Sequence, residues 1–140
     1  MLGDAAGGND TATSDPQELI AAWLKYHELL EKSGDLSGRT SVADEYLWAI
    51  HGLDDMAKQD PEACWRLIME LVLRAQSNYQ LASLASGPLE DLLVKHGNEF
   101  IERVERAASN NDRFRETLFG VWRSEIPEDV WIRVEKARGT

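Results

Sequence analysis

The chain has a single cysteine, Cys64. That excludes an internal disulfide and every multi-cysteine metal site, and it fits a reducing compartment. No apolar run approaches the roughly 18 residues that a membrane-spanning helix needs, so no membrane association is expected. The opening MLGDAAGGND has neither the basic start nor the apolar run of a secretory signal, which points to a cytoplasmic location. The three histidines, His27, His51 and His96, have no histidine or cysteine three or four residues away. A metal site needs several ligands converging at fixed spacing, so no metal is expected. Phosphate-binding glycine loops and hydrolase nucleophile motifs are missing as well, and no cofactor is implied. Basic residues are scarce: 15 against 25 acids, a net charge of −10. The deficit is concentrated in residues 1–60, which hold 12 acids and 4 bases. Affinity for nucleic acid comes mainly from basic side chains on phosphates, so direct nucleic-acid binding is not expected. A basic protein is the better electrostatic complement.

What the sequence does contain is helix signals. Residues 1–13 are small and polar apart from a few apolar side chains and read as a disordered tail; residues 14–140 read as one all-helical domain. Asp15-Pro16-Gln17-Glu18 starts a first helix by capping, with Leu19, Ile20, Trp23, Leu24, His27 and Leu30 at helical spacing and Gly34 at its end. Ser41 opens a second helix, with Val42, Tyr46, Leu47, Ile50 and Leu53 as its buried stripe and fraying from Met56 to Gln59. Asp60-Pro61-Glu62 starts a third, expected to be the most buried, with Cys64, Trp65, Leu67, Ile68, Leu71, Val72 and Ala75 covering more than one narrow stripe. Asn78 caps a short fourth that stops near Gly87, and a fifth begins at Pro88. Glycine costs about 1 kcal/mol in a helix interior, so a break or kink is expected at His96-Gly97. A turn at Ser109–Asp112 leads to a short helix with Phe114, Leu118 and Phe119 inward. Pro127-Glu128-Asp129 opens the last helix. The fold class is therefore all-α, six to eight helices in a compact bundle or a short solenoid-like stack of helical hairpins. A shared Pro-Glu-x-x-Trp skeleton at Pro61 and Pro127 is what favours the stack.

The densest polar stretch is Ser86-Gly87-Pro88-Leu89-Glu90-Asp91-Leu92-Leu93-Val94-Lys95-His96-Gly97. Glu90, Asp91 and His96 form a candidate functional cluster there. Each also has a structural reading: Glu90 caps a helix starting at Pro88, Asp91 pairs with Lys95 four residues on, and His96 faces inward behind Leu89, Leu92 and Leu93. Five tryptophans, Trp23, Trp48, Trp65, Trp122 and Trp131, mainly pack helices together. Trp48 lies off its helix's main stripe and inside the acidic half, which makes it the candidate partner anchor. Asp44, Glu45, Asp54 and Asp55 complete the candidate partner-binding face.

The same stretch, written G-P-L-E-D-L-L-x-x-H-G, resembles the signature of a bacterial domain family of unknown function. So does its setting between Pro61-Glu62-x-x-Trp65 and Leu118-x-Gly120-Val121-Trp122. The resemblance spans roughly residues 16–137. It implies a small helical bacterial protein and gives no catalytic residue to carry over, but it singles out Glu90, Asp91 and His96 as places to look.

With no recognisable catalytic set, the leading expectation is a non-enzymatic, helical protein-interaction module of the bacterial cytoplasm. Its concrete form is an immunity-type inhibitor that masks a basic toxin with the acidic first half. The alternative is an enzyme or small-ligand binder with a groove at helix 88–96, using Glu90, Asp91 and His96. A weaker alternative is an acidic nucleic-acid mimic. Oligomeric state is not legible in the sequence.

Overall fold

Helix starts are set by the residues that satisfy free backbone N–H groups. The computed structural model describes residues 15–33 and 41–139; the expected tail, the Gly34 cap and the 34–40 loop lie outside them, as does the Ser41 side chain. Helix α1 (Pro16–Ser33) begins where the Asp15 carboxylate accepts the Gln17 N–H at 3.0 Å. Helix α2 (Ser41–Asp44) is only one turn long, and α3 (Leu47–Gln59) follows it after a break at Tyr46, whose φ of −108° and ψ of 3° leave the helical region. One helix was expected over this stretch. The break rotates the buried stripe, so Ala43, Ala49, Leu53 and Ala57 face inward while Val42 is 60% exposed. The expected fraying after Met56 does not occur.

Helix α4 (Pro61–Arg74) starts as the sequence predicts, with Asp60 accepting the Ala63 N–H at 3.2 Å. Helix α5 (Asn78–Leu84) is capped by Ser77 rather than Asn78: the Ser77 hydroxyl accepts the Gln80 N–H and donates to Glu31 of α1. Gln80 is buried and ties the same two helices, donating to the Leu24 carbonyl at 2.9 Å.

The chain does not stop at Gly87 and restart at Pro88. It continues through a π-helical turn, Ala85–Leu89, into α6 (Glu90–Asn110). Proline has no N–H to give and its ring collides with the carbonyl four residues back. A wider π turn accommodates both, and the Glu90 N–H reaches the Ala85 carbonyl. The expected kink is present: His96 has φ −137° and ψ 28° inside α6. A kink of this kind forfeits about one hydrogen bond's worth of stability, roughly 1 kcal/mol. Burial of Leu92 and Leu93 before it and Phe100 after it contributes about 2 kcal/mol each, so packing decides the path.

Helix α7 (Asp112–Thr117) is capped by Asn111 and runs into a 3-10 turn, Leu118–Gly120. Phe114 and Leu118 are buried as expected, whereas Phe119 points to solvent. Helix α8 (Glu128–Arg138) starts one residue after Pro127 and ends at Gly139 in the left-handed region, φ 86°. Helix α6 is central, packed against α8, α7, α3 and α4, while α1 lies across α2, α3, α4 and α5. This is a compact bundle around one long kinked helix, not a stack of sequential hairpins. Among the described residues there is no strand.

Gly97 is where α6 meets α8. A Cβ there would lie 3.0 Å from Val130 Cγ1 and 3.2 Å from Cγ2. Alanine gains about 1 kcal/mol of helix propensity, but overpacking a core contact costs about 1–3 kcal/mol. Gly97→Ala should therefore lose about 1 kcal/mol net, and Val130→Ala should cost less in that background than in the wild type. Urea unfolding of the four proteins tests this; strictly additive losses would mean the two side chains do not meet.

Candidate functional site

Two sets of residues come out of the sequence, one on the 86–97 stretch and one on the acidic first half. The structure recombines them. Glu90 caps no helix start, because none exists at Pro88. Its carboxylate accepts the Trp122 N–H at 3.1 Å and pins the chain after α7 to the head of α6. His96 sits at the kink with Nδ1 3.0 Å from Glu99 Oε1 and with Nε2 buried and unpartnered. Asp91 makes no ion pair with Lys95 among the described residues. It lies within electrostatic reach of Asp54 on α3.

Asp54 and Asp91 are both half-buried, and neither has a hydrogen-bond or ion-pair partner among the described residues. Burial, and after it the Asp91 charge, raises the Asp54 pKa above the ordinary carboxyl range; Asp55 adds to this, while His51 and Lys58 oppose it. Cys64 of α4 lies within reach of the same pair. Burial, then Asp91, Asp54 and Asp60, push its thiol up to about 12, so it is an inert hydrophobe rather than a nucleophile. Among the described residues, no group of three histidine, cysteine or acidic side chains is placed to hold a metal ion.

Trp48 is half-buried at the other edge of α3. With Tyr46 it forms one wall of an open, mostly apolar groove of about 480 Å³, whose other wall is Glu18, Ala21, Ala22 and Lys25 of α1. At 100° per residue, Trp48 and Asp54 stand about 120° apart around α3, with His51 and Asp55 between them. Both of these are exposed, as are Asp44 and Glu45 just before α3. The α3 face thus runs from an apolar groove across an acidic strip to the Asp54–Asp91 pair. Two smaller grooves, of about 180 Å³ between α5 and α7 and about 210 Å³ between α1 and α4, are lined by Leu81 and Gly120 and by Ile20 and Leu67 among others. None of these three grooves is lined by Glu90, Asp91 or His96.

Other candidates have structural explanations. His27 is ringed by Trp23, Tyr26 and Tyr79, and burial lowers its pKa to about 4, so it stays neutral in the core. Two arginines of the second half are paired across helices: Arg103 grips Glu62 through two bonds of 2.7 Å, and Arg133 grips Glu105 at 2.6 and 2.8 Å.

A family profile described as "Family of unknown function (DUF6869)" matches residues 37–140. The chain belongs to this family. The matched span contains Trp48, Asp54, Glu90, Asp91 and His96, and it begins after α1, which supplies the far wall of the Trp48 groove. No curated protein and no solved structure matches the chain. No helix among the described residues is long and apolar enough to cross a membrane.

Sequence reasoning missed the Asp54–Asp91 meeting, because the residues are 37 positions apart and no motif links them. It also missed Trp122, which is 73% exposed. Its signal was visible, since Trp122 lies between Gly120 and Ser124 outside every helical stripe.

A carboxyl whose folded pKa is raised stabilises the fold when protonated, below its unfolded pKa, and loses that contribution as pH rises through the folded value. Asp54→Asn should therefore stabilise the protein near neutral pH by up to about 1 kcal/mol, the scale of a half-exposed charge interaction. It should change nothing near pH 3. Thermal unfolding at both pH values measures the difference; a loss at neutral pH would mean that a favourable partner holds Asp54.

Proposed function

We propose that this protein is a non-enzymatic interaction module whose α3 face binds a basic segment of a partner protein. The observation that carries the reading is Asp54 and Asp91: two half-buried carboxylates within electrostatic reach of each other, with no hydrogen-bond or ion-pair partner among the described residues and with His51 and Lys58 offsetting only part of the effect on Asp54. A lysine or arginine from a partner would relieve the repulsion between them, and in a half-buried setting the attraction is screened less than on an open surface. About 120° around α3 from Asp54, the Trp48 groove offers an apolar socket for another side chain of the same segment, and tryptophan is a common anchor in interfaces. Asp44, Glu45 and Asp55 extend the acidic strip and would steer a basic partner toward it.

The finer version is an immunity-type inhibitor in a bacterial cytoplasm that covers a basic toxin. It is supported by the net charge of the first 60 residues and, for a reducing compartment, by the lone cysteine. The enzymatic reading is less favoured because Glu90 is engaged with the Trp122 backbone and His96 with Glu99, so the three residues do not converge on one groove.

The test is affinity capture of the encoded neighbour proteins on immobilised wild type, a Trp48→Ala variant and a variant with Asp44, Glu45, Asp54 and Asp55 reversed to lysine. A basic partner should bind the wild type, with affinity falling as salt rises. It should be lost with the reversal and weakened about tenfold or more by Trp48→Ala. An acidic partner, or binding indifferent to the reversal, contradicts the proposal.

A further inference from the structure

The α1 wall of the Trp48 groove has a pattern of its own. Glu18, Ala21, Ala22 and Lys25 line it, and at 100° per residue they fall within about 100° of each other around the helix. Glu18 and Lys25 stand in line, two turns or about 10 Å apart along α1, with the alanines between them. Ala21 is exposed and Ala22 buried, so the middle of the wall is low. The order acid, alanine, alanine, base is symmetric. The charged pair and the alanine pair share one midpoint, between Ala21 and Ala22. Glu18 is exposed and has no ion pair among the described residues. Lys25 is held loosely, 3.5 Å from Glu28, which Lys32 grips at 2.9 Å. Half-buried Tyr46 and Trp48 form the wall opposite.

We propose that this groove is a two-fold interface, in which α1 of a second copy of this chain lies antiparallel across α1 of the first. An apolar side chain alone fills the middle of the groove but leaves its two charged ends unanswered. A complementary occupant brings a base to Glu18 and an acid to Lys25, with little bulk between. Helix α1 itself meets all three conditions. Turned by 180° about its midpoint, it sets Glu18 of each copy against Lys25 of the other, and alanine against alanine. That is the self-complementarity a two-fold homodimer requires. A parallel arrangement fails, because it sets Glu18 on Glu18 and Lys25 on Lys25. The small side chains let the helix axes approach closely, with Tyr46 and Trp48 flanking the crossing. The contact is small, and each copy carries a net charge of −10. The dimer is therefore weak and reversible, with a Kd of about 0.1–1 mM. It closes the Trp48 socket, so self-association and binding of a basic segment exclude each other. That consequence rests on the reading of the groove as a partner's socket; the dimer itself does not.

The test is sedimentation equilibrium of the full chain alone, from about 10 µM to about 1 mM at roughly 0.15 M salt, where repulsion between the two net charges is screened. The wild type should pass from monomer toward dimer over that range. Glu18→Lys and Lys25→Glu should each weaken self-association about tenfold or more, because each turns two attractions into two repulsions. Mixed in equal amounts, the two variants should associate again, since one copy then offers two bases and the other two acids. Trp48→Ala should weaken the dimer about threefold or more. A wild type that stays monomeric, single variants that associate as tightly as the wild type, a mixture that stays monomeric, or no effect of Trp48→Ala would overturn the inference. No partner protein enters these measurements, so a negative result leaves the basic-segment reading standing.

Discussion

The missing N–H of Pro88 is the constraint on which the rest of the structure depends. A regular α-helix cannot pass through an interior proline without losing a hydrogen bond and meeting the carbonyl four residues back. Here the chain neither stops nor bends away. It widens for one turn, so that α5 and α6 continue one another across Ala85–Leu89. The wide turn exposes Ala85 to close approach by Gly120 and places Glu90 opposite the Trp122 backbone. Seven residues further on, the kink at His96 brings Gly97 against Val130 of α8. A widened turn at Ala85–Leu89 and a kink at His96 thereby set where the segment after α7 and the last helix dock. The residues dense in polar chemistry along this stretch are largely joints.

The surfaces outside the joints have a different character. On α3, Asp54 and Asp55 have no ion pair among the described residues, while Arg103 of α6 and Arg133 of α8 are each gripped by a glutamate within the fold. Such an asymmetry is costly where it is half-buried, since desolvation and the Asp91 charge both work against an ionised Asp54. Perturbed ionisable groups are enriched at functional sites, and the raised Asp54 pKa is the reason the proposed interface is put on α3.

Much of this fold is legible from the sequence, and the losses have specific physical causes. Asp15 and Asp60 announce helix starts because a short polar side chain before an apolar periodic run has few other uses. The kink at His96-Gly97 was visible from glycine's cost in a helix. The break at Tyr46 was not, because its neighbours keep helical spacing and only the packing of Ala43 and Ala49 reveals the rotation. Pro88 misleads because proline marks a helix start in most settings, and a π turn depends on contacts far away in the sequence. Trp48 could be picked out by its position off the stripe, but the groove beside it needs α1. Asp54 and Asp91 each stood out singly; their meeting is a tertiary fact that no local pattern carries.

The continuity of the helical path from Asn78 to Asn110 is the most direct check on this account. Backbone carbon chemical shifts of the labelled protein measure it residue by residue. The account predicts helical shifts from Asn78 through Lys95, including Ser86 and Gly87, a local departure at His96, and helical values again from Asn98 to Ser109. Non-helical shifts at Ser86 and Gly87, marking a helix end followed by a new start at Pro88, would contradict it.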